Sequence, residues 1–170
     1  MSKRELKKYL VQLTKEQLEA QLIELYEKFT PVKTYYDFAF NPNEDKLIQE
    51  CKVKIANEYY PIKGKRPKAR RSTAQKYIKH FISLGVDAHL IADVMLFSIE
   101  IAQSFSAEKV IKQDLFFKSM FTSFNQAVIF AVEKGILSDF KSRISTIKEE
   151  AFEQKWFNYF EFEAIIERLE

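Results

Sequence analysis

The stretch QDLFFKSMFTSFNQAVIFAVEK, residues 113–134, decides the fold class, because it predicts one long helix that is apolar around most of its circumference. Apolar side chains recur along it at helical spacing on one stripe, and Phe116, Ala127 and Phe130 lie outside that stripe. A helix of this kind is typical of the centre of a fold. The stripe itself consists of Phe117, Met120, Phe121, Phe124, Val128 and Ala131.

Capping residues predict where the other helices begin. A Ser, Thr or Asn that precedes a Glu or Gln by three residues has the spacing of a capping box, in which each side chain satisfies a free backbone N–H. We predict capping boxes of this kind at Ser2, Thr14, Ser72 and Asn158.

Proline and glycine predict further helix limits. Proline suits a first helical turn or the residue just past a helix, and glycine suits a left-handed C-terminal position. Such residues are Pro31, Pro42, Pro61, Gly85 and Gly135. With the capping residues, they predict helices over residues 3–12, 15–29, 31–40, 42–59, 73–84, 88–105, 113–134, 139–154 and 159–168.

The composition favours one all-helical domain. Three glycines and four prolines in 170 residues leave little material for turns, and no stretch alternates as a strand would. We therefore predict an all-α fold, with residues 1–170 forming a single domain of about nine helices. Successive short helices are expected to stack as antiparallel pairs, either in an α–α superhelix of the HEAT type or in an irregular bundle.

The cysteine content and the N-terminus predict a cytoplasmic location without membrane association. Cys51 is the single cysteine, so no internal disulfide is possible, and a buried structural thiol is expected. The charged N-terminal segment is not followed by an apolar signal region. Residues 90–107 are the least charged stretch, but they contain Asp93 and Glu100, which favours a buried core helix over a membrane span.

One segment is strongly basic. No acidic residue occurs between Glu58 and Asp87, and eight of the chain's 27 basic residues lie in this interval. The rest of the chain therefore carries 19 basic and 24 acidic residues. We predict a basic loop at about 61–72, followed by the fifth helix. The eight cations are Lys63, Lys65, Arg66, Lys68, Arg70, Arg71, Lys76 and Lys79.

This segment predicts binding of nucleic acid or another polyphosphate. A helix start capped by Ser72 beside two arginines favours anions, and Arg70 and Arg71 are expected to grip a phosphate bidentately. Tyr59 and Tyr60, just upstream, are candidates for stacking on bases. The alternative is a solvated loop whose cations pair with the protein's own acidic helices.

A polar stripe on the sixth helix offers a second candidate site. His89, Asp93 and Glu100, with Gln103, recur at helical spacing, and a His and an Asp four residues apart can hold a metal ion. The alternative is a polar helix edge that forms salt bridges with Lys109 or Lys112. No nucleotide-binding glycine loop, nucleophile elbow, zinc motif or di-iron motif is present, so no catalytic residue and no cofactor are predicted.

The C-terminal stretch WFNYFEF, residues 156–162, is dense in aromatic side chains. It is expected either to fold back over the core or to form an exposed patch that binds a protein partner or a second copy of the chain.

Three segments resemble a known family. The stretches SKRELKKYL at residues 2–10, YYDF at residues 35–38 and RPKARRS at residues 66–72 are similar to those of a family of bacterial all-helical proteins of about this length, a domain of unknown function. The resemblance implies a bacterial, cytoplasmic, helical protein, and it transfers no catalytic residue.

Three functions follow from these patterns. The leading hypothesis is a non-enzymatic helical scaffold that binds another macromolecule through a surface groove. The alternative is nucleic-acid or polyphosphate binding through residues 63–79. A minor alternative is an enzyme with an acid–base or metal site on the sixth helix.

Overall fold

The computed structural model of the chain describes residues 2–62 and 64–168. Those residues form nine helices and no strand, which confirms the predicted all-α class. The helices are α1 (Lys3–Val11), α2 (Lys15–Lys28), α3 (Thr30–Phe40), α4 (Glu44–Tyr59), α5 (Arg71–Leu84), α6 (Ala88–Glu108), α7 (Asp114–Glu133), α8 (Leu137–Glu153) and α9 (Tyr159–Glu167).

Several predicted helix limits are confirmed by their chemistry. Ser2 and Thr14 form complete capping boxes with Glu5 and Gln17. Gly85 follows α5 in a left-handed conformation with φ +78°, and the next amide, of Val86, donates to the carbonyl of Phe81. This is the Schellman arrangement, which satisfies carbonyls that a helix end leaves free.

Other predicted limits are wrong. Helix α5 begins at Arg71 and not at residue 73, so Ser72 lies inside the helix and does not cap it. Helix α4 begins at Glu44, two residues beyond Pro42. Asn158 does precede α9, but its side chain caps no backbone amide; its Nδ2 instead donates to the carboxylate of Glu161 at 2.9 Å.

The chain forms two compact units, Met1–Asn43 and Glu44–Glu170. In the first unit, α2 packs against α3, and no residue of the described part, 2–43, is buried. The predictions of one domain over residues 1–170, of antiparallel pairing and of a HEAT-like arrangement stay predictions.

In the second unit, α6 is the central helix, because it contacts α4, α5, α7 and α8. Val94, Ile99 and Ala102 of α6 are completely buried. The C-terminal aromatic stretch folds back over this core, which is one of the two placements predicted for it. Trp156 is 2% exposed and Phe162 is 0% exposed. Binding of a partner by the exposed remainder of that stretch stays a prediction.

Helices α6 and α7 are long and apolar enough to cross a membrane when judged by length and composition alone. Core helices of soluble proteins pass the same test, and more than half of the apolar window of α6 is buried inside the protein. The cytoplasmic location predicted from the sequence therefore stays a prediction.

Candidate functional site

Glu58, in the last turn of α4, anchors the C-terminal end of the basic loop. Its backbone carbonyl accepts hydrogen bonds from the amides of Lys68 and Ala69, each at 2.9 Å. Its carboxylate accepts from Nε and Nη2 of Arg70, each at 2.9 Å, and from Oγ1 of Thr73 at 3.1 Å. One residue thus holds both the loop backbone and the start of α5.

This anchor is ionised at neutral pH. The hydrogen bond from Arg70 lowers the pKa of Glu58, helped by Thr73, and it outweighs the opposing effect of burial. The same pair raises the pKa of Arg70. The carboxylate and the guanidinium therefore both keep their charges, which strengthens each hydrogen bond between them.

Arg71 points in another direction, toward α7. Its Nε donates to Oγ of Ser123 and its Nη2 donates to Oε1 of Gln126, both at 2.7 Å. Burial lowers the pKa of this arginine. Both guanidinium groups that were predicted to grip a phosphate, those of Arg70 and Arg71, are therefore engaged by the protein's own polar groups.

The remaining described cations of the segment are free. Three lie in the loop and two lie on the outer face of α5, and all five are exposed. None of them forms an ion pair with a described residue, whereas Arg70 of the same segment pairs with Glu58. These cations are Lys65, Arg66, Lys68, Lys76 and Lys79; the predicted site residue Lys63 lies outside the described residues.

Two open clefts flank Arg70. The first has a volume of about 280 Å³, and its walls include Pro61, Lys65 and Arg66. The second has a volume of about 590 Å³, and Lys76, Tyr77 and His80 line it. Because Arg70 lines both, its pairing with Glu58 fixes the wall that the two clefts share.

The aromatic residues at this surface differ from those predicted. Tyr59 is only 2% exposed and packs against Phe105, with ring centroids 5.7 Å apart, so base stacking by Tyr59 is wrong. Tyr60 is 37% exposed, but it also contacts Phe105, edge-on at 5.9 Å, and it lines neither cleft. Tyr77, which is not one of the stacking residues predicted from the sequence, is half-buried and lines the larger cleft.

Residues 1–170 match a family of unknown function, DUF6155. The chain belongs to this family. No match was found among curated proteins or among solved structures. The resemblance noted in the sequence is confirmed for an all-helical family of unknown function, whereas a bacterial origin stays a prediction.

The polar stripe on α6 is a salt-bridge network in this DUF6155 chain. Arg143 of α8 donates from Nη1 to Asp93 at 2.8 Å, and from Nε and Nη2 to both carboxylate oxygens of Glu100 at 2.8 Å. Lys52 of α4 lies 2.6 Å from the second oxygen of Asp93. The cationic partners therefore come from α4 and α8, and the partners predicted from the sequence, Lys109 and Lys112, are wrong.

Electrostatics in this network favour charge pairing. Burial opposes ionisation of Asp93, but hydrogen bonds from Lys52 and Arg143 outweigh it and lower the pKa of that carboxyl. His89 does not join these groups in an ion pair; its Nε2 lies 2.9 Å from Asp139 and its Nδ1 lies 3.5 Å from Asp87.

The predicted metal candidates are accordingly held by other partners. Among the described residues, no three or more His, Cys, Asp or Glu side chains are arranged to hold a metal ion. The network of Asp93, Glu100 and Arg143 links α6 to α8, so two of the stripe's polar residues act as ion-pair partners between helices.

Proposed function

We propose that this DUF6155 protein binds nucleic acid through a basic surface made of Lys65, Arg66, Lys68, Lys76 and Lys79. The observation that supports the proposal is that these five exposed cations share an anchored loop and the adjoining helix, and that none is paired with a described acid. Free lysines and arginines displace counterions from a polyanion, and this release is the main source of non-specific nucleic-acid affinity.

The anchor makes the surface better suited to binding than a mobile loop would be. The bonds from Lys68, Ala69 and Arg70 to Glu58 fix where the loop meets α5. Holding the cations in place before binding reduces the conformational entropy that binding would otherwise cost. Arg70 and Arg71 contribute by positioning this surface.

The larger cleft adds a feature that favours unpaired bases. Tyr77 and His80 line it together with Lys76. Aromatic rings beside cations bind single strands, because each base stacks on a ring while the backbone phosphates meet the charges. Single-stranded nucleic acid is therefore the ligand we expect to bind more tightly than a duplex.

The scaffold hypothesis is supported by a different cleft. A space of about 350 Å³ beside the C-terminal aromatic stretch is lined by Phe117, Trp156 and Phe157, among others. Polar side chains, among them Lys109, Asp114 and Gln154, line it as well, so it suits a segment of a protein partner that carries both apolar and polar groups. We place this function second, because Trp156 already contributes to the core.

The experiment is fluorescence anisotropy of the full chain with a labelled single strand and its duplex. A loop variant, K65A/R66A/K68A, and a helix variant, K76A/K79A, are compared with a control, K112A/K118A/K141A, whose three lysines are exposed and lie outside the basic surface. The loop variant is expected to bind about 10- to 100-fold more weakly at physiological salt, since three phosphate contacts are lost.

The control removes as many positive charges as the loop variant, but from positions outside the basic surface. It is therefore expected to bind within about twofold of wild type. Equal weakening by the loop variant and the control would show that only net charge matters, and absence of binding by wild type would overturn the proposal. Inorganic polyphosphate is added as a competitor; if it displaces the strand at equal phosphate concentration, the surface is a general polyanion site.

A further inference from the structure

The N-terminal unit leaves its apolar side chains uncovered. No residue of the described part, 2–43, is buried. Chains of about this length rarely support a fold without additional cover. The exposed large side chains include Leu6, Tyr9, Leu10, Leu22, Ile23 and Phe40.

Between α2 and α3 lies an apolar groove with a volume of about 380 Å³. Leu22, Ile23, Tyr36 and Phe40 are among the residues that line it. Tyr36 and Phe40 stack with their ring centroids 6.2 Å apart, which gives one wall a fixed shape. The hydroxyl group of Tyr26 donates to Asp37 at 2.7 Å, so these two polar groups of the groove already satisfy each other.

Helix α1 has the pattern that fits such a groove. Leu6, Tyr9 and Leu10 fall at i, i+3 and i+4 and are each exposed by about 40% (43%, 43% and 36%). Amphipathic helices bind apolar grooves through anchors at this spacing. Within the chain, one hydrogen bond joins α1 to α2, from Nε2 of Gln21 to the hydroxyl group of Tyr9 at 2.7 Å.

The charges of the two elements are complementary. Helix α1 contains four cations and one anion, Glu5, which gives it a net charge of +3. Helix α2 contains four anions and two cations, which gives it a net charge of −2. Both lysines of α2 are already paired along the helix, with Glu19 and Glu24, so its other two glutamates, Glu16 and Glu27, remain for a partner.

We infer that the N-terminal unit is a dimerisation unit, in which α1 of each copy lies in the α2–α3 groove of a second copy. The same unit supplies the amphipathic helix α1 and the apolar groove, and α1 and α2 carry opposite net charges. A second copy of this chain therefore offers both the apolar anchors and the charge that the groove needs in a partner. A two-fold axis forms both contacts at once, as in most homodimers. The surface is distinct from the C-terminal aromatic stretch that the sequence suggested.

The first test is the mass of the full chain by light scattering over a range of concentrations. Wild type is expected at twice the 20.1 kDa chain mass. The groove variant I23E/F40E is expected to be a monomer, since both side chains are exposed and their replacement leaves the helices intact. The matched control V110E/L115E changes two exposed apolar residues of the other unit and is expected to remain a dimer.

A charge-swap test separates contacts between chains from contacts within one chain. Variant K3E/K7E and variant E16K/E27K are each expected to be monomeric, and their equimolar mixture is expected to form dimers, because α1 of each then meets a groove of opposite charge. A monomeric wild type up to about 100 µM would overturn the inference. So would a dimer that survives I23E/F40E, or singly monomeric swap variants whose mixture does not associate.

Discussion

Glu58 and Arg70, twelve residues apart in the sequence, form a bidentate ion pair in which both nitrogen–oxygen distances are 2.9 Å. The pair closes the basic loop at its base, where the amides of Lys68 and Ala69 also bind the carbonyl of Glu58. Glu58 is the last acidic residue before the basic segment, and its carboxylate holds the loop.

Replacing Glu58 by Gln is expected to reduce the free energy of unfolding by about 1–2 kcal/mol at pH 7, because charge-assisted hydrogen bonds to Arg70 and Thr73 are lost. Urea unfolding followed by circular dichroism measures the change. Glu133→Gln, at an exposed position, is the control and is expected to have little effect.

The effect of Glu58→Gln is expected to depend on pH. Hydrogen bonding to Arg70 lowers the pKa of Glu58 in the folded chain, so its contribution is fully present above the unfolded pKa and is lost as the pH falls through the folded pKa. The difference in unfolding free energy between wild type and variant should be constant above about pH 5 and shrink below it. A difference that grows toward low pH would contradict this account.

Arg143→Ala is expected to cost about 1–2 kcal/mol, since it leaves the carboxylate of Glu100 without its guanidinium partner and leaves Asp93 with Lys52 alone. Lys141→Ala, an exposed change on the same helix, is the control. Thermal unfolding measures both. Equal effects of the two substitutions would mean that the network contributes no more than an exposed lysine.

Cys51 is expected to be unreactive in the folded protein. It is completely buried, and burial raises the pKa of its thiol to about 12. At pH 8 almost none of it is therefore thiolate, the form that attacks disulfide reagents. A chromogenic disulfide should react with the chain in strong urea and not in native buffer; rapid stoichiometric reaction of the native chain would contradict this prediction.

Gly85→Ala is expected to destabilise the chain by about 1 kcal/mol through the backbone alone. The residue has a φ of +78°, and a Cβ there would meet nothing within 4 Å, so a steric clash does not contribute. Gly85→Asn is expected to cost less, because asparagine tolerates the left-handed region. Urea unfolding of both variants tests this order.

Local features of the fold were predictable from the sequence, because they depend on a few neighbouring residues. The capping boxes at Ser2 and Thr14 and the C-terminal glycines were read from spacings of three or four residues, and the structure confirms them. The start of α5 was missed, because Arg70 and Thr73 bind Glu58 of the preceding helix and the sequence gives no sign of that contact.

In the candidate site, too, local features were predictable from the sequence and contacts between helices were not. The basic segment was predictable from the sequence, because it contains eight cations and no acidic residue, whereas the partners of Arg70 and Arg71 depend on how α5 packs against α4 and α7. The sequence did contain a signal for the anchor, because Glu58 is the nearest acidic residue before the cations of the loop. The burial of Tyr59 against Phe105 was not readable, because it depends on a contact with α6.

The measurement that tests the central claim most directly is the salt dependence of single-strand binding by wild type and by K65A/R66A/K68A. Each phosphate contact contributes about 0.7 to the slope of log affinity against log salt for a single strand. The account predicts that the slope of the variant is smaller than that of wild type by about 2, whereas K112A/K118A/K141A keeps the wild-type slope. Identical slopes for all three proteins would contradict the claim that the basic surface binds nucleic acid.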